Sequence, residues 1–293
     1  MKFSEIKDKI KNNRGFNSLK EIKKAGLRIV KNTKTGDYWL IEEEYLKPVI
    51  KSLKECKSIL VKPEDLKYKV LMCHKSKIEL KKENAFILDY IEWGEKQDFH
   101  KRPTCASRQK WWDVGEWAIS ENILPMFERE RNYCFYNSCN TYIDAALYWC
   151  YIKPKYNKLI KELNLLLNSS FIKLFKELLC RPPEGGGGGP IQMKVYHYNE
   201  MMIPYKFINV QLSEKILKKY NEFLNREIKS IFAELGFDPD KSIREQEPNP
   251  LPDRKALDDI VFDVLGLTEE ERKEVYWAVA ELVQNRLKKA KSI

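Results

Sequence analysis

The sequence predicts an α+β fold, on three observations. Short strand-like runs separated by turn residues fill the early part of the chain and recur between 121 and 151. Stretches with apolar residues every three or four positions follow at 155–179 and 211–235, as amphipathic helices require. The C-terminal end reads as a pair of helices. A 43% apolar share supports a sizeable core, and 293 residues suffice for one large domain or two small ones.

Taken in order, Phe3, Ile6 and Ile10 share one face of Lys-rich helical turns that Gly26 ends. Leu27, Ile29 and Val30 start a strand, Lys34-Thr35-Gly36-Asp37 is a turn, and Tyr38-Trp39-Leu40-Ile41 resumes a strand, so a hairpin is expected. The run that follows is expected to stop at Pro48. Ser58-Ile59-Leu60-Val61 and Tyr68-Lys69-Val70-Leu71-Met72 are further apolar runs, the second alternating polar and apolar as a half-buried strand should. Residues 75–94 read as one helix with Ile87, Leu88, Tyr90 and Ile91 inward. Ile123-Leu124-Pro125-Met126 and Tyr133-Cys134-Phe135-Tyr136-Asn137 are strands around a charged turn, Glu128-Arg129-Glu130-Arg131, and 145–151 is another apolar run.

One helix is expected over 155–179. It leads through Arg181-Pro182-Pro183-Glu184 into five glycines, Gly185 to Gly189. A phosphate-binding loop needs Lys-Ser/Thr after its glycines, and Pro190-Ile191-Gln192 stands there instead, so the run reads as a connector. Residues 191–203 resemble a strand and a turn ending at Pro204, and 211–235 one helix capped by Gly236. The stretch 238–253 holds four prolines and many charges and reads as a linker or an extended surface strap. Leu257, Ile260, Val261, Val264 and Leu265 mark the first terminal helix, ended by Gly266; Thr268 and Glu271 form a capping box that opens the second.

The formal charge is +10, which suits a polyanionic partner or simply solubility. The Lys and Glu bias fits a heat-adapted source. Seven scattered cysteines with no C-x-x-C pair argue for reduced thiols, and with only three histidines they argue against a zinc site. No apolar run approaches the roughly 20 residues that span a bilayer, and the N-terminus lacks the apolar centre of a secretory signal. A cytoplasmic protein is expected.

One segment departs from ordinary globular sequence. Residues 91–112 alternate cations with large flat rings: Trp93, Lys96, Phe99, His100, Lys101, Arg102, Arg108, Lys110, Trp111 and Trp112. Phosphates attract Lys and Arg while bases stack on rings, so nucleic acid is the first candidate partner. A Trp-anchored core edge ringed by solvated charges explains the same residues, and both readings stand at this point. The candidate DNA contacts are Lys101, Arg102, Arg108 and Lys110, with Trp111 or Trp112 walling the site or stacking, and Arg129 and Arg131 on the charged turn in second rank.

Catalytic signatures are not found. A DNA methyltransferase needs a glycine-rich loop for the methyl donor and an Asn/Asp-Pro-Pro-aromatic tetrapeptide for the flipped base. The nearest match, Asn249-Pro250-Leu251-Pro252, lacks the aromatic. Asp238-Pro239-Asp240-Lys241 matches a nuclease centre only superficially, and His74, His100 and His197 reveal no nucleophile partner. No catalytic residue, metal ligand or cofactor is assigned.

Four stretches together resemble a known family. Glu44-Tyr45-Leu46-Lys47-Pro48-Val49-Ile50-Lys51-Ser52 resembles the start of the target recognition region of large adenine-specific DNA methyltransferases, the single-chain type II restriction–modification enzymes. Tyr90-Ile91-Glu92-Trp93-Gly94-Glu95, with Cys105-Ala106-Ser107-Arg108 and Trp111-Trp112-Asp113, resembles its next block. Leu166-Leu167-Asn168-Ser169-Ser170, the glycine run and Ile203-Pro204 resemble its closing block, and the tail from Ile260-Val261-Phe262-Asp263 to Arg286 resembles the helices beyond. The resemblance implies an α/β module reading a short DNA sequence, related to the target domains of type I specificity subunits. It implies a target-recognition-like domain over 1–235, a Pro/Asp-rich linker over 236–253 and a helical pair over 254–293. The catalytic half of that family does not match anything in this chain. The implied partners are double-stranded DNA and a separately encoded methyltransferase or nuclease chain. A protein-interaction subunit, a truncated methyltransferase remnant and a nucleic-acid enzyme with an unrecognised site are the alternatives.

Overall fold

A computed structural model describes residues 3–52, 54–180 and 189–291. Arg181-Pro182-Pro183-Glu184 and the glycines from Gly185 to Gly188 lie outside the described residues. The architecture is α+β, with short antiparallel ladders among many helices. The chain forms two compact units, one of residues 1–49 and 68–118 and the other of 50–67 and 119–293. The division therefore falls at 49/50, 67/68 and 118/119 rather than near 235, and the stretch 236–253 lies inside the second unit.

In the first unit the expected hairpin forms. Leu27–Lys31 pairs antiparallel with Tyr38–Glu42, from Leu27 opposite Glu42 to Lys31 opposite Tyr38. Asn32 shapes its turn, its Oδ1 accepting from the Lys34 and Thr35 amides at 2.8 and 3.0 Å. Leu46–Ile50 pairs antiparallel with Tyr68–Leu71 and runs through Pro48 instead of stopping there. Proline's fixed φ suits extended backbone, and it removes one donor rather than the strand. The single helix expected over 75–94 is two, Lys77–Lys82 and Phe86–Lys96, because Asn84 turns left-handed at φ 52° between them. Ser76 and Glu79 cap the first of these reciprocally, and the Glu42 carboxylate takes the Phe86 and Ile87 amides at 2.5 and 3.0 Å. A strand residue thus satisfies the orphan donors of a helix and lays that helix on the hairpin.

The second unit is built on a three-stranded sheet. Asn122–Pro125 is central, with Phe135–Tyr136 on one side and Leu147–Cys150 on the other, both antiparallel. Ser58-Ile59-Leu60-Val61 forms no strand; it makes isolated bridges from Ser58 to Glu227 and from Leu60 to Tyr136. The helix expected over 155–179 is a 3₁₀ turn, Pro154–Leu159, followed by Ile160–Leu167 and Ser170–Leu179. Ser169 restarts the helix as an N-cap, accepting from the Ile172 amide at 3.2 Å. Likewise 211–235 divides into Glu214–Asn225 and Ile231–Leu235. Ile191–Gln192 is a two-residue strand, and the turn expected after it begins as the helix Val195–Glu200. The terminal pair is Pro252–Leu265 and Glu269–Lys291; Gly266 ends the first at φ 72°, and the Thr268/Glu271 box opens the second.

Ile123, Phe135, Leu165, Leu166, Ile172, Tyr220, Phe223, Leu257 and Val261 form the main core of this unit. A further cluster joins Phe232, Leu235 and Phe262 to Tyr276, Val279 and Val283 of the last helix. Phe237 and Ile243, from the proline-rich stretch, are buried in it, so that stretch is a packed strap. The seven cysteines, all among the described residues, are unpaired. No helix among the described residues is long and apolar enough to cross a membrane.

Candidate nucleic-acid interface

The aromatic residues of 91–112 are built into the first unit's core. Trp93 lies 5.3 Å from both Trp39 and Tyr90, centroid to centroid, and meets Phe99 edge-on at 5.5 Å. Trp111 and Trp112 cross at 88° and pack on the cluster of Trp39, Ile41, Tyr45, Ile87 and Ile91. Trp111 lies directly against Gly94: a methyl group there would come within 2.5 Å of the indole. Its Nε1 donates to Glu95 at 3.2 Å, and Glu95 in turn pairs with Lys77 at 2.5 Å. The Trp112 Nε1 is buried and has no hydrogen-bond partner among the described residues. Both indoles are therefore half-buried and packed on this cluster.

The cations of the segment divide. Lys101, Arg102 and Arg108 are exposed on the turns Phe99–Lys101 and Pro103–Ala106 and just beyond. The Arg102 guanidinium stands 4.3 Å from the centroid of Phe99, and Lys34, from the hairpin turn, brings its Nζ to 5.9 Å of the same ring. Two cations are thus held over an aromatic ring that is itself anchored on Trp93. Lys101 pairs with Asp98 at 2.8 Å in open solvent, a contact of little energy that a phosphate can replace. Lys110 is tied down instead, donating to the His74 carbonyl and lying 3.4 Å from Asp113. Asp113 also holds the His74 ring at 2.8 Å. Burial by itself would raise the Asp113 carboxyl, but the Gly115 amide, His74 and Lys110 hold it below the usual carboxylate range. Lys110 is a brace of this cluster rather than a free cation.

Arg129 and Arg131 belong to the second unit and are exposed. Arg129 lies 3.6 Å from Glu130. Arg131 lines a groove of about 700 Å³ with Lys54, Lys57, Lys62 and Lys67, among Glu55, Glu64, Asp65 and Glu227. The expected charged turn is not uniform: Glu128 is fully buried, held by Lys176 at 2.5 Å and Lys173 at 3.0 Å. Sequence reasoning passed over Lys34 and the groove lysines. The signal for the latter was the recurrence of Lys through 51–67; for Lys34 there was none, since only the hairpin brings it to Phe99. No group of three or more His, Cys, Asp or Glu among the described residues is arranged to hold a metal ion.

The chain is 25% identical over 187 residues to the type II methyltransferase M.AccI of Acinetobacter calcoaceticus, a match that takes in 62% of this chain and 34% of that protein. Its fold is similar to that of the type IIG restriction endonuclease BpuSI, with a TM-score of 0.50 and 11% identity over 85% of this chain and 27% of that one. The chain therefore spans about a third of the one relative and about a quarter of the other. The family described as the C-terminal domain of the type II methyltransferase M.Eco57I matches residues 29–234, most of the chain, and the protein belongs to that family.

Proposed function

We propose that the chain is a DNA target-recognition module of a restriction–modification methyltransferase system. It reads double-stranded DNA while the chemistry resides in a methyltransferase or nuclease chain that it accompanies. The carrying observation is the placement of Arg102 and Lys34 over Phe99, with Lys101 and Arg108 exposed beside them, on a rigid aromatic core. Such a surface offers exposed, weakly paired cations to phosphate oxygens and a fork-shaped guanidinium to a guanine edge. Taken by itself, the second unit offers Arg131 and the lysines of its groove, and the exposed Arg129, as further candidate phosphate contacts. Lys110, Trp111 and Trp112 support the surface from behind.

The test is fluorescence anisotropy of the purified chain with duplex DNA over a salt series. The logarithm of the association constant is expected to fall linearly with the logarithm of salt concentration, and Lys101→Ala and Arg108→Ala each to reduce the slope by about 0.9. Lys110→Ala is expected to leave the slope unchanged. Binding that is absent, or indifferent to salt, overturns the reading.

A further inference from the structure

Lys101, Arg102 and Arg108 are all exposed, but the fold holds them differently. Arg102 is fixed at both ends. Its amide donates to the Phe99 carbonyl at 3.2 Å, and its own carbonyl accepts from the Cys105 and Ala106 amides, both at 2.8 Å. Its backbone is extended, at φ −66° and ψ 141°, as the following Pro103 favours. At the other end the guanidinium stands over the Phe99 ring, 4.3 Å from the centroid, and Trp93 meets that ring edge-on at 5.5 Å. Among the described residues the guanidinium has no carboxylate partner. Lys101 instead pairs with Asp98, both side chains in solvent. Arg108 is tied only by its backbone amide, which donates to the Cys105 carbonyl at 3.1 Å; neither a ring nor a carboxylate holds its guanidinium among the described residues.

We propose that Arg102 is the residue that reads a base, a guanine, and that Phe99 is its positioning residue, while Lys101 and Arg108 contact phosphates; this rests on the recognition reading above. A phosphate accepts from several directions, and a flexible cation finds it in many conformations. A base edge offers its acceptors in one plane at one place, so it rewards a donor whose position is set before binding. Among the three cations only Arg102 has both its backbone and its guanidinium held. A guanidinium held over a ring by cation–π attraction keeps its in-plane N–H fork unspent. Guanine alone presents two acceptors side by side, O6 and N7, in the major groove; adenine sets an amine donor beside N7, which a guanidinium repels. Lys34 brings a second positive charge to the same ring, which suits an edge made of acceptors.

Selection of duplexes from a randomised pool by the full chain, followed by anisotropy on the selected sequence, tests the assignment. The selected motif is expected to contain a guanine whose replacement by 7-deazaguanine, which lacks the N7 acceptor, weakens binding about tenfold. Arg102→Ala is expected to remove the preference for that guanine and its sensitivity to the deaza base, with the salt slope kept. Phe99→Leu, which retains the guanidinium but not the ring, is expected to blunt discrimination at the same position, again with the salt slope kept. Arg108→Ala is expected to weaken all sequences alike and to keep the guanine preference. If Arg102→Ala instead weakens every duplex equally and lowers the slope by about 0.9, Arg102 is a phosphate contact and the proposal is overturned. It is overturned equally by salt-dependent binding that selects no motif, or by a motif in which no guanine depends on Arg102. Those results leave the recognition reading standing, whereas binding that is absent or indifferent to salt removes both. Undiminished discrimination in Phe99→Leu overturns the positioning role.

Discussion

Glu128 is enclosed by Lys173 and Lys176, and none of the three side chains reaches solvent. The Lys173 ammonium also meets Glu177 at 3.0 Å, and Lys176 donates to Asn132 at 2.9 Å. Removing one partner of such a cluster leaves the rest buried and uncompensated. Glu128→Ala is therefore expected to destabilise the second unit by about 3–5 kcal/mol, read by urea denaturation, whereas Glu130→Ala next to it, at the surface, changes little. Sequence patterning could not separate these neighbours, because Glu128 and Glu130 are the same residue type in the same charged tetrapeptide. The same difficulty applied to the cations of 91–112. Composition identified the segment, but only coordinates distinguish Lys110, pinned at His74 and Asp113, from Lys101 and Arg108, which are presented to solvent.

Among the elements, the helix Phe86–Lys96 carries the aromatic platform, and Gly94 sets how closely Trp111 approaches it. Gly94→Ala is expected to displace that indole and cost about 1–3 kcal/mol by overpacking, seen as altered tryptophan fluorescence and a lower denaturation midpoint. At the end of Ile231–Leu235, Gly236 sits at φ 78° against the Asn249 backbone, so Gly236→Ala meets both a strained conformation and a clash and is expected to cost about as much. The existence of most elements was legible: the hairpin, the three-stranded set around Asn122–Pro125 and the terminal helices with their Gly266 and Thr268 caps all follow local chemistry. Their interruptions were less legible. A helix that breaks at Asn168 and restarts at Ser169 keeps its apolar stripe, so periodicity alone reports one helix where two exist. Ser169 was the available clue, since a serine followed by an apolar run is a helix start.

Over the whole molecule, the buried ion pairs of the second unit make its stability depend on pH. Burial would raise Glu177 and Glu234, but Lys173 and Arg286 for the first, and Arg254 and Arg226 for the second, hold both below the ordinary value. A carboxyl depressed in the folded state contributes stability that is fully present above its unfolded value of about 4.3 and is lost as pH falls through the folded one. Asp258 works the other way: burial raises it, so its effect is lost as pH rises through its shifted value. The first pair outnumbers the second effect, and urea midpoints are expected to fall as the solution is acidified below the carboxylate range. Glu177→Gln should flatten that acid limb; an unchanged limb rules out this assignment. The two-unit division was the least legible feature, because the first unit is interrupted in sequence by 50–67, and no boundary signal marks a segment that leaves one compact body and returns.

Arg286 grips Glu177 with two nitrogens, at 2.8 and 2.9 Å, and also reaches the carbonyls of Arg129 and Gly189. A guanidinium more than a hundred positions downstream thus completes a cluster begun at Glu128. Without that guanidinium, Glu177 would keep Lys173 as its partner but lose the second cation that offsets its burial. A fragment truncated before Arg286 is therefore expected to hold its buried charges less firmly than the longer chain, which a lower urea midpoint would report.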